Sequence, residues 1–335
     1  MALSPWSNPV DPALLFPLDD YESLLFDLGW SEPESWLNFW LNTGGVKLAC
    51  DAWPLNARSD WLWGLGLPFL TDLKRYISNA HNPVVFGLSG LPGCGKTSFG
   101  SWLEAATSQL DWPVTVVSMD DFYLPAAQLH QAMLGNPWNV PRALPGSHSI
   151  DLLLKTIDSW METGDLLTPQ FDKSLRNGLG DRCGWRRTQP KALIVEGWFL
   201  GCTTTKNNMR TINFENQLLP KLSRTELEYQ KVVQSSLEDY QPIWKKFQRI
   251  WHLKASQFSS TSSWKSEQEK KMEREKGFAL NGKGLESFIR MIHASIPQES
   301  LQSIDSDVVA ILNRDRQITW VGSNKKLRLG INKIQ

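Results

Sequence analysis

Gly90-Leu91-Pro92-Gly93-Cys94-Gly95-Lys96-Thr97 satisfies the pattern G-x-x-x-x-G-K-[ST] at every fixed position. Such a run can close its backbone N–H groups around phosphate oxygens, provided that glycines leave the approach open. A helix starting where the run ends adds the positive pole of its dipole to the same anion. Lys96 supplies a point charge to the outer phosphates, and the Thr97 hydroxyl can ligate Mg²⁺. The phosphate-binding candidates are therefore Gly90, Leu91, Pro92, Gly93, Cys94, Gly95, Lys96, Thr97 and Ser98. Cys94 fills a permissive position in the loop, with a redox switch as the alternative role.

Three acids stand where phosphoryl chemistry needs them. Asp120 and Asp121 end the run Pro113–Met119, and Glu196 ends the run Lys191–Val195. Transfer of a phosphoryl group to an alcohol requires a carboxylate that orients the hydroxyl and takes its proton. It also requires oxygen ligands for Mg²⁺. Asp120 suits the first task. Thr97 and Glu196 suit the second. Asp121 either joins the metal or caps the segment that follows. ATP and Mg²⁺ are the cofactors this set implies, with Lys96 and Asp120 as its catalytic residues.

These residues need a scaffold that brings strand tips together. Pro83–Ser89 (PVVFGLS) is a β-branched and aromatic run before the glycines, and it reads as a buried strand. Phe99, Trp102, Leu103 and Ala106 then mark one apolar helix face within Thr97–Leu110. Pro113–Met119 and Lys191–Val195 are further strands, with Phe247–Leu253 and Asp307–Leu312 as a fourth and fifth. Helical patterns lie between them. One begins at a capping box, Ser223 with Glu226, and continues along Tyr229, Val233, Leu237 and Tyr240. Alternating strands and helices predict a three-layer α/β/α fold of the P-loop type around a mostly parallel sheet. In such a sheet, ligands sit at the carboxyl ends of the strands.

Ahead of that core, residues 1–80 form an N-terminal helical addition, with apolar patterns over Tyr21–Leu41, broken at Pro33, and over Asp60–Asn79. The expected kinase domain is 81–322, with a lid-like segment at about 256–285 and a tail at 323–335. Within it, Ser256–Ser263 (SQFSSTSS) reads as a mobile loop. The 17 Trp are spread along the chain and read as core and groove packing.

Composition narrows the partners. Lys plus Arg and Asp plus Glu balance at 35 each, which argues against nucleic acid or an anionic membrane as the main partner. The opening MALSPWSNPVDP has neither the basic nor the apolar stretch of a secretory signal, and no run reaches the length of a membrane span. Cys50, Cys94, Cys183 and Cys202 form no C-x-x-C pair, consistent with free thiols in a reducing cytoplasm. Oligomeric state has no sequence signal here.

Other uses of the cradle fit less well. Asn324-Lys325-Lys326 is followed by Leu327, so the N-K-x-D guanine motif fails. Val195-Glu196-Gly197-Trp198 carries one acid followed by glycine, where a motor or transporter ATPase carries a second acid. A metabolite kinase suits this pattern better.

Together with the cradle, Asp120-Asp121-Phe122-Tyr123 and Glu196-Gly197-Trp198 resemble the D-glycerate 3-kinase family, relatives of uridine kinase, phosphoribulokinase and pantothenate kinase. Arg142-Ala143-Leu144-Pro145-Gly146-Ser147-His148 is similar to that family's R-G-x-P-G-T-H-D. Phe171-Asp172-Lys173-Ser174 and Gly180-Asp181-Arg182 are similar to its Y-D-K-S and G-D-R elements. The resemblance implies ATP-dependent phosphorylation of D-glycerate at its 3-hydroxyl, with Asp120 as the base. Glycerate is a small anion bearing two hydroxyls, so its pocket needs a cation and acceptors. Arg142, His148, Asp172, Lys173 and Arg182 offer both. Lys173 and Arg182 as surface charges, and His148 as a structural hydrogen-bonder, are the alternatives.

Two positions depart from the family pattern. Ser149 stands where the family has an acid after T-H, and W-R-x-x-x-E becomes Trp264-Lys265 with Glu269. Lysine cannot reproduce a bidentate arginine clamp. The run Trp264–Lys276 is dense in charge and reads as a solvated helix supported by pairs such as Glu267 with Lys271. Lys265 is the lid candidate in it. By analogy of fold, Asn313 and Arg314 border the adenine. Two other readings stay open. One is a kinase for another hydroxylated metabolite of the uridine, pantothenate or ribulose-phosphate type. The other is an ATP-binding regulatory module that has lost phosphotransfer.

Overall fold

The computed structural model describes residues 18–45, 47–48, 59–79, 82–204, 220–277, 279–280 and 282–327. Cys50, the opening MALSPWSNPVDP and positions 328–335 of the expected tail lie outside them. The N-terminal region supplies α1 (Leu18–Asp27) and α2 (Pro33–Asn42). The helical turn Ser59–Trp61 then passes through a π-helical turn, Leu62–Gly66, into α3 (Leu67–Asn79). Pro33 opens α2 at its first position, where a missing N–H costs nothing.

The core then alternates as the sequence predicts. β1 (Val84–Gly90) runs into α4 (Lys96–Gln109), and β2 (Val114–Ser118) runs into a 3₁₀ turn (Met119–Phe122) and α5 (Ala126–Met133). After α6 (Ile150–Thr163) come β3 (Leu166–Asp172), β4 (Asp181–Thr188) and β5 (Ala192–Gly197). α7 (Arg224–Glu238) begins at the Ser223–Glu226 capping box, and the short α8 (Gln241–Trp244) leads to β6 (Arg249–Ala255). α9 (Ser260–Lys276), α10 (Gly282–Ala294) and α11 (Gln298–Gln302) precede β7 (Val308–Leu312) and β8 (Ile318–Ser323).

Six strands make one sheet in the order β2-β5-β1-β6-β7-β8. All its pairings are parallel except β7 with β8. β1 and β5 are buried along their whole length, as central strands covered on both faces must be. The register sets Ser89 beside Gly197, so the cradle and Glu196 leave the sheet at the same level.

Three expectations change. The strand set at Phe247–Leu253 lies two residues later, because Phe247 N closes a turn on the Trp244 carbonyl (3.2 Å). β3 and β4 form a separate antiparallel hairpin that the sequence pattern does not announce, since β4 (DRCGWRRT) has no buried residue along it. Ser256–Ser263 is not a loop throughout: α9 begins at Ser260, and Ser260 and Thr261 are buried.

The N-terminal helices are part of the main core. Leu24, Trp36, Trp40 and Leu70 belong to the same buried cluster as the sheet, and α1 lies against β8. Trp36, Trp40, Trp102, Trp160, Trp251 and Trp264 are all fully buried, which matches the packing role expected of the tryptophans. Asp72 on α3 is the polar tie. Its fully buried carboxylate accepts from Arg249 Nε (2.7 Å), Trp251 Nε1 (3.0 Å) and Arg75 Nη2 (2.8 Å). Removing one member of a buried pair leaves its partners uncompensated. Asp72→Ala should therefore cost about 3–5 kcal/mol, read as a lower urea midpoint at unchanged slope. A shift below about 0.5 kcal/mol, the scatter of ordinary surface substitutions, would contradict this account.

Candidate active site

A cleft of about 680 Å³ opens along the strand tips. Its floor is the loop between β1 and α4. Gly93 (φ +77°) and Gly95 (φ +114°) take left-handed conformations that side chains resist. A Cβ on Gly93 would lie 2.6 Å from the Trp264 backbone, and one on Gly95 2.9 Å from the Trp61 indole. Glycine is therefore required twice over at each position. Pro92, Gly93, Gly95, Lys96, Thr97 and Ser98 line the cleft. Leu91 and Cys94 turn their side chains into the core, so any contact they make with phosphate is through backbone.

Lys96 Nζ donates to the Leu91 carbonyl (3.2 Å), which keeps the ammonium folded over the loop. The Thr97 hydroxyl donates to Glu196 Oε1 (3.0 Å), joining the helix start to the tip of β5. A hydroxyl and a carboxylate are hard oxygen donors, which suits Mg²⁺, an ion that completes its shell with water and phosphate oxygens. Asp121, the other metal candidate, does not join them. Its carboxylate accepts from the N–H of Ser118 (3.2 Å) and of Phe171 (3.4 Å), bracing the 3₁₀ turn and the hairpin. Burial raises it to about 6.

Asp120 faces the cleft from the tip of β2. Oδ2 lies 2.5 Å from Lys173 Nζ and Oδ1 3.9 Å from His148 Nε2. Burial alone would push the Asp120 carboxyl up. The Lys173 ammonium and the His148 ring outweigh it and hold the group well below the usual carboxylate range. The same pair raises Lys173 against its own burial, so both members stay charged. Burial lowers His148, whose Nδ1 lies 2.8 Å from the Tyr240 hydroxyl and whose ring stacks on Tyr123.

The expected acceptor residues divide. Arg142 and Lys173 line the cleft. Arg142 is anchored by the Gly178 (2.7 Å) and Leu179 (3.1 Å) carbonyls, which fix the turn between β3 and β4. His148 sits behind Asp120 rather than on the wall. Asp172 accepts from Ser174 N (2.8 Å) and Oγ (2.6 Å), and Arg182 Nε donates to the Tyr123 carbonyl (3.1 Å). Neither Asp172 nor Arg182 lines the cleft.

The far wall is α9. Lys265 is buried, pairs with Glu269 (2.5 Å) and lies over the Phe288 ring. Its ammonium faces the cleft from within the i,i+4 geometry that the Trp264-Lys265…Glu269 spacing allows. Lys271 and Arg274 also line the cleft, so this helix is only partly a solvated face. The expected Glu267–Lys271 pair is absent among the described residues: Glu267 takes Arg316 (2.7 Å) and Lys271 takes Glu275 (3.7 Å). The turn after β7 reaches the cleft through Asp315 and Arg316, one step beyond the expected Asn313 and Arg314. Trp61 and Arg316 are among the cleft residues that sequence reading missed. One tryptophan among 17 and one arginine in a turn carry no local signature.

A phosphate cradle on a doubly covered parallel sheet, with carboxylates at the neighbouring strand tips, defines a kinase of the P-loop class, and ATP use comes with that class. Within it, the chain's relatives include D-glycerate 3-kinase. The chloroplastic D-glycerate 3-kinase of Arabidopsis thaliana is 29% identical over 181 residues, 50% of this chain and 37% of that protein. The uncharacterized kinase mug58 of Schizosaccharomyces pombe is 28% identical over 240 residues, 68% of this chain and 84% of that one. The solved D-glycerate 3-kinase of Cryptococcus neoformans superposes with a TM-score of 0.64 at 22% identity, covering 76% of this chain and 96% of its own. No family model matches the chain. No helix among the described residues is long and apolar enough to cross a membrane.

The cradle also makes a chemical prediction. Burial pushes the Cys94 thiol up, although Lys96 opposes it, whereas Cys183 is exposed. A buried thiol of raised pKa is unreactive. Iodoacetamide followed by peptide mass mapping should mark Cys183 and spare Cys94 and Cys202 until urea is added. Early modification of Cys94 in the folded protein would reopen a redox role for it.

Proposed function

We propose that this kinase transfers the γ-phosphoryl group of ATP to the 3-hydroxyl of D-glycerate, giving 3-phosphoglycerate, with Mg²⁺ as the metal. The observation that carries the reading is the Asp120–Lys173 ion pair facing the cradle across the cleft, with Arg142 on the same wall. Asp120 stays ionised, so it can accept and orient the attacking hydroxyl and receive its proton as the bond to phosphorus forms. Lys173 and Arg142 supply cations for the acceptor's carboxylate. Lys96 and the loop amides stabilise the charge that spreads over the transferred group. Thr97 and Glu196 would hold Mg²⁺, which would neutralise phosphate charge there. Lys265, already desolvated on the cleft wall, is the cation that α9 brings toward the outer phosphates.

His148 acts on this centre through Asp120. With its ring kept neutral by burial and anchored on Tyr240, it limits where the Asp120 carboxylate can turn. Asp172 and Arg182 shape the hairpin that carries Lys173.

A coupled assay on purified protein should show ADP release that depends on both D-glycerate and Mg²⁺. Turnover with uridine, pantothenate or ribulose 5-phosphate and none with glycerate would move the acceptor within the class. ATP binding with no turnover on any of these would favour the regulatory reading. Asp120→Asn should lower kcat by about 10²- to 10⁴-fold while ATP binding stays within about twofold. Lys96→Ala should abolish measurable transfer. An Asp120→Asn enzyme of normal kcat would remove Asp120 as the base.

A further inference from the structure

The sheet order lays the cleft out in sequence. β2 and β5 carry Asp120 and Glu196 at one end, β1 carries the cradle in the middle, and the β7–β8 turn carries Asp315 and Arg316 at the other. If the γ-phosphoryl group faces Asp120, as the proposed reaction requires, the ribose and base extend toward β7. At that end stands Trp61, from a turn that precedes the whole sheet.

Its indole is held on several sides. Nε1 donates to the Arg316 carbonyl (2.7 Å), and the ring meets Phe99 edge-on at 6.0 Å between centroids. It also packs against Gly95, where a Cβ would come within 2.9 Å of it. The neighbouring Asp60 accepts from Ile318 N (2.8 Å), which pins the turn to β8. The surface that Trp61 retains lines the cleft beside Gly95. Arg316, the other large side chain there, already gives Nε to the Gly93 carbonyl (2.8 Å) and Nη1 to Glu267 (2.7 Å). The indole, 7% exposed, is thus a rigid apolar surface on the β7 side of the cleft. Bases and riboses pack on aromatic faces of this kind.

We propose that Trp61 forms the wall against which the ribose and adenine of ATP pack, so that the N-terminal segment completes the nucleotide site. The proposal rests on the kinase reading for the direction in which ATP lies. Its test separates the two, because it reads nucleotide binding without any acceptor.

Titration calorimetry on the full chain and on Trp61→Ala, with MgATP and with inorganic tripolyphosphate as probes, distinguishes a base wall from a prop for the cradle. Stacking on one aromatic is worth about tenfold or more in affinity. Trp61→Ala should bind MgATP about tenfold more weakly and tripolyphosphate within about twofold of the parent, and Trp61→Phe should recover most of the ATP affinity. Equal loss for both probes, or no loss for either, overturns the proposal. A parent chain that takes up neither probe sinks the nucleotide site and the proposal with it. Should Trp61→Ala not fold, photolabelling of the unaltered chain with 8-azido-ATP decides: label on the peptide containing Trp61 supports the proposal, and label confined to other peptides overturns it.

Discussion

A loop that turns its amides toward a phosphate must turn its carbonyls away, and each buried carbonyl needs a donor. For Leu91 those donors are local, and for Pro92 and Gly93 they come from distant parts of the chain. The Leu91 carbonyl takes Lys96 Nζ and the Cys94 N–H, the Pro92 carbonyl takes the Thr261 hydroxyl (3.1 Å), and the Gly93 carbonyl takes Arg316 Nε (2.8 Å). The outer face of the cradle is therefore built by α9 and the turn after β7. Trp264 reinforces the joint, with its backbone against Gly93 and its Nε1 on the Arg314 carbonyl (2.6 Å). The side of the loop that grips phosphate and the side that is held are two faces of one hydrogen-bonding requirement.

The same requirement explains what the sequence disclosed and what it concealed. Gly90–Thr97 was legible because part of what shapes it is local: positive φ at Gly93 and Gly95 and a helix start at fixed spacing. Asp120 and Glu196 were legible because strand tips collect in an α/β sheet. Ser256–Ser263 read as a loop because serines favour turns, yet its second half forms the first turn of α9, where Thr261 is drawn into the core by the Pro92 carbonyl. Trp61 and Arg316 were illegible for a related reason. They meet across 255 residues of chain, and no window of sequence contains both. Asp121 could be metal ligand or cap on sequence grounds, and two backbone N–H groups decide for the cap.

Around Asp120 the balance is electrostatic. A carboxylate at the bottom of a cleft would drift toward its neutral form through desolvation. Lys173 prevents this, and the hairpin β3–β4 exists in part to deliver Lys173, with Asp121 fastening the hairpin to β2 and Arg142 fixing its turn. Adjacent aspartates thus divide the labour. The first faces the cleft, and the second holds the neighbouring element that keeps the first charged.

The contact between Trp61 and the Arg316 carbonyl also has a temporal meaning. Because the cleft draws on both the turn before α3 and the connection between β7 and β8, a chain emerging from the ribosome has its glycine loop long before it has the donor for the Gly93 carbonyl. Until Arg316 and β8 are available, the loop lacks its outer support, and Trp61 has no carbonyl to hold it beside Gly95. Assembly of the nucleotide cleft in this way waits for β8, and the glycine loop is synthesised well before its pocket can be finished.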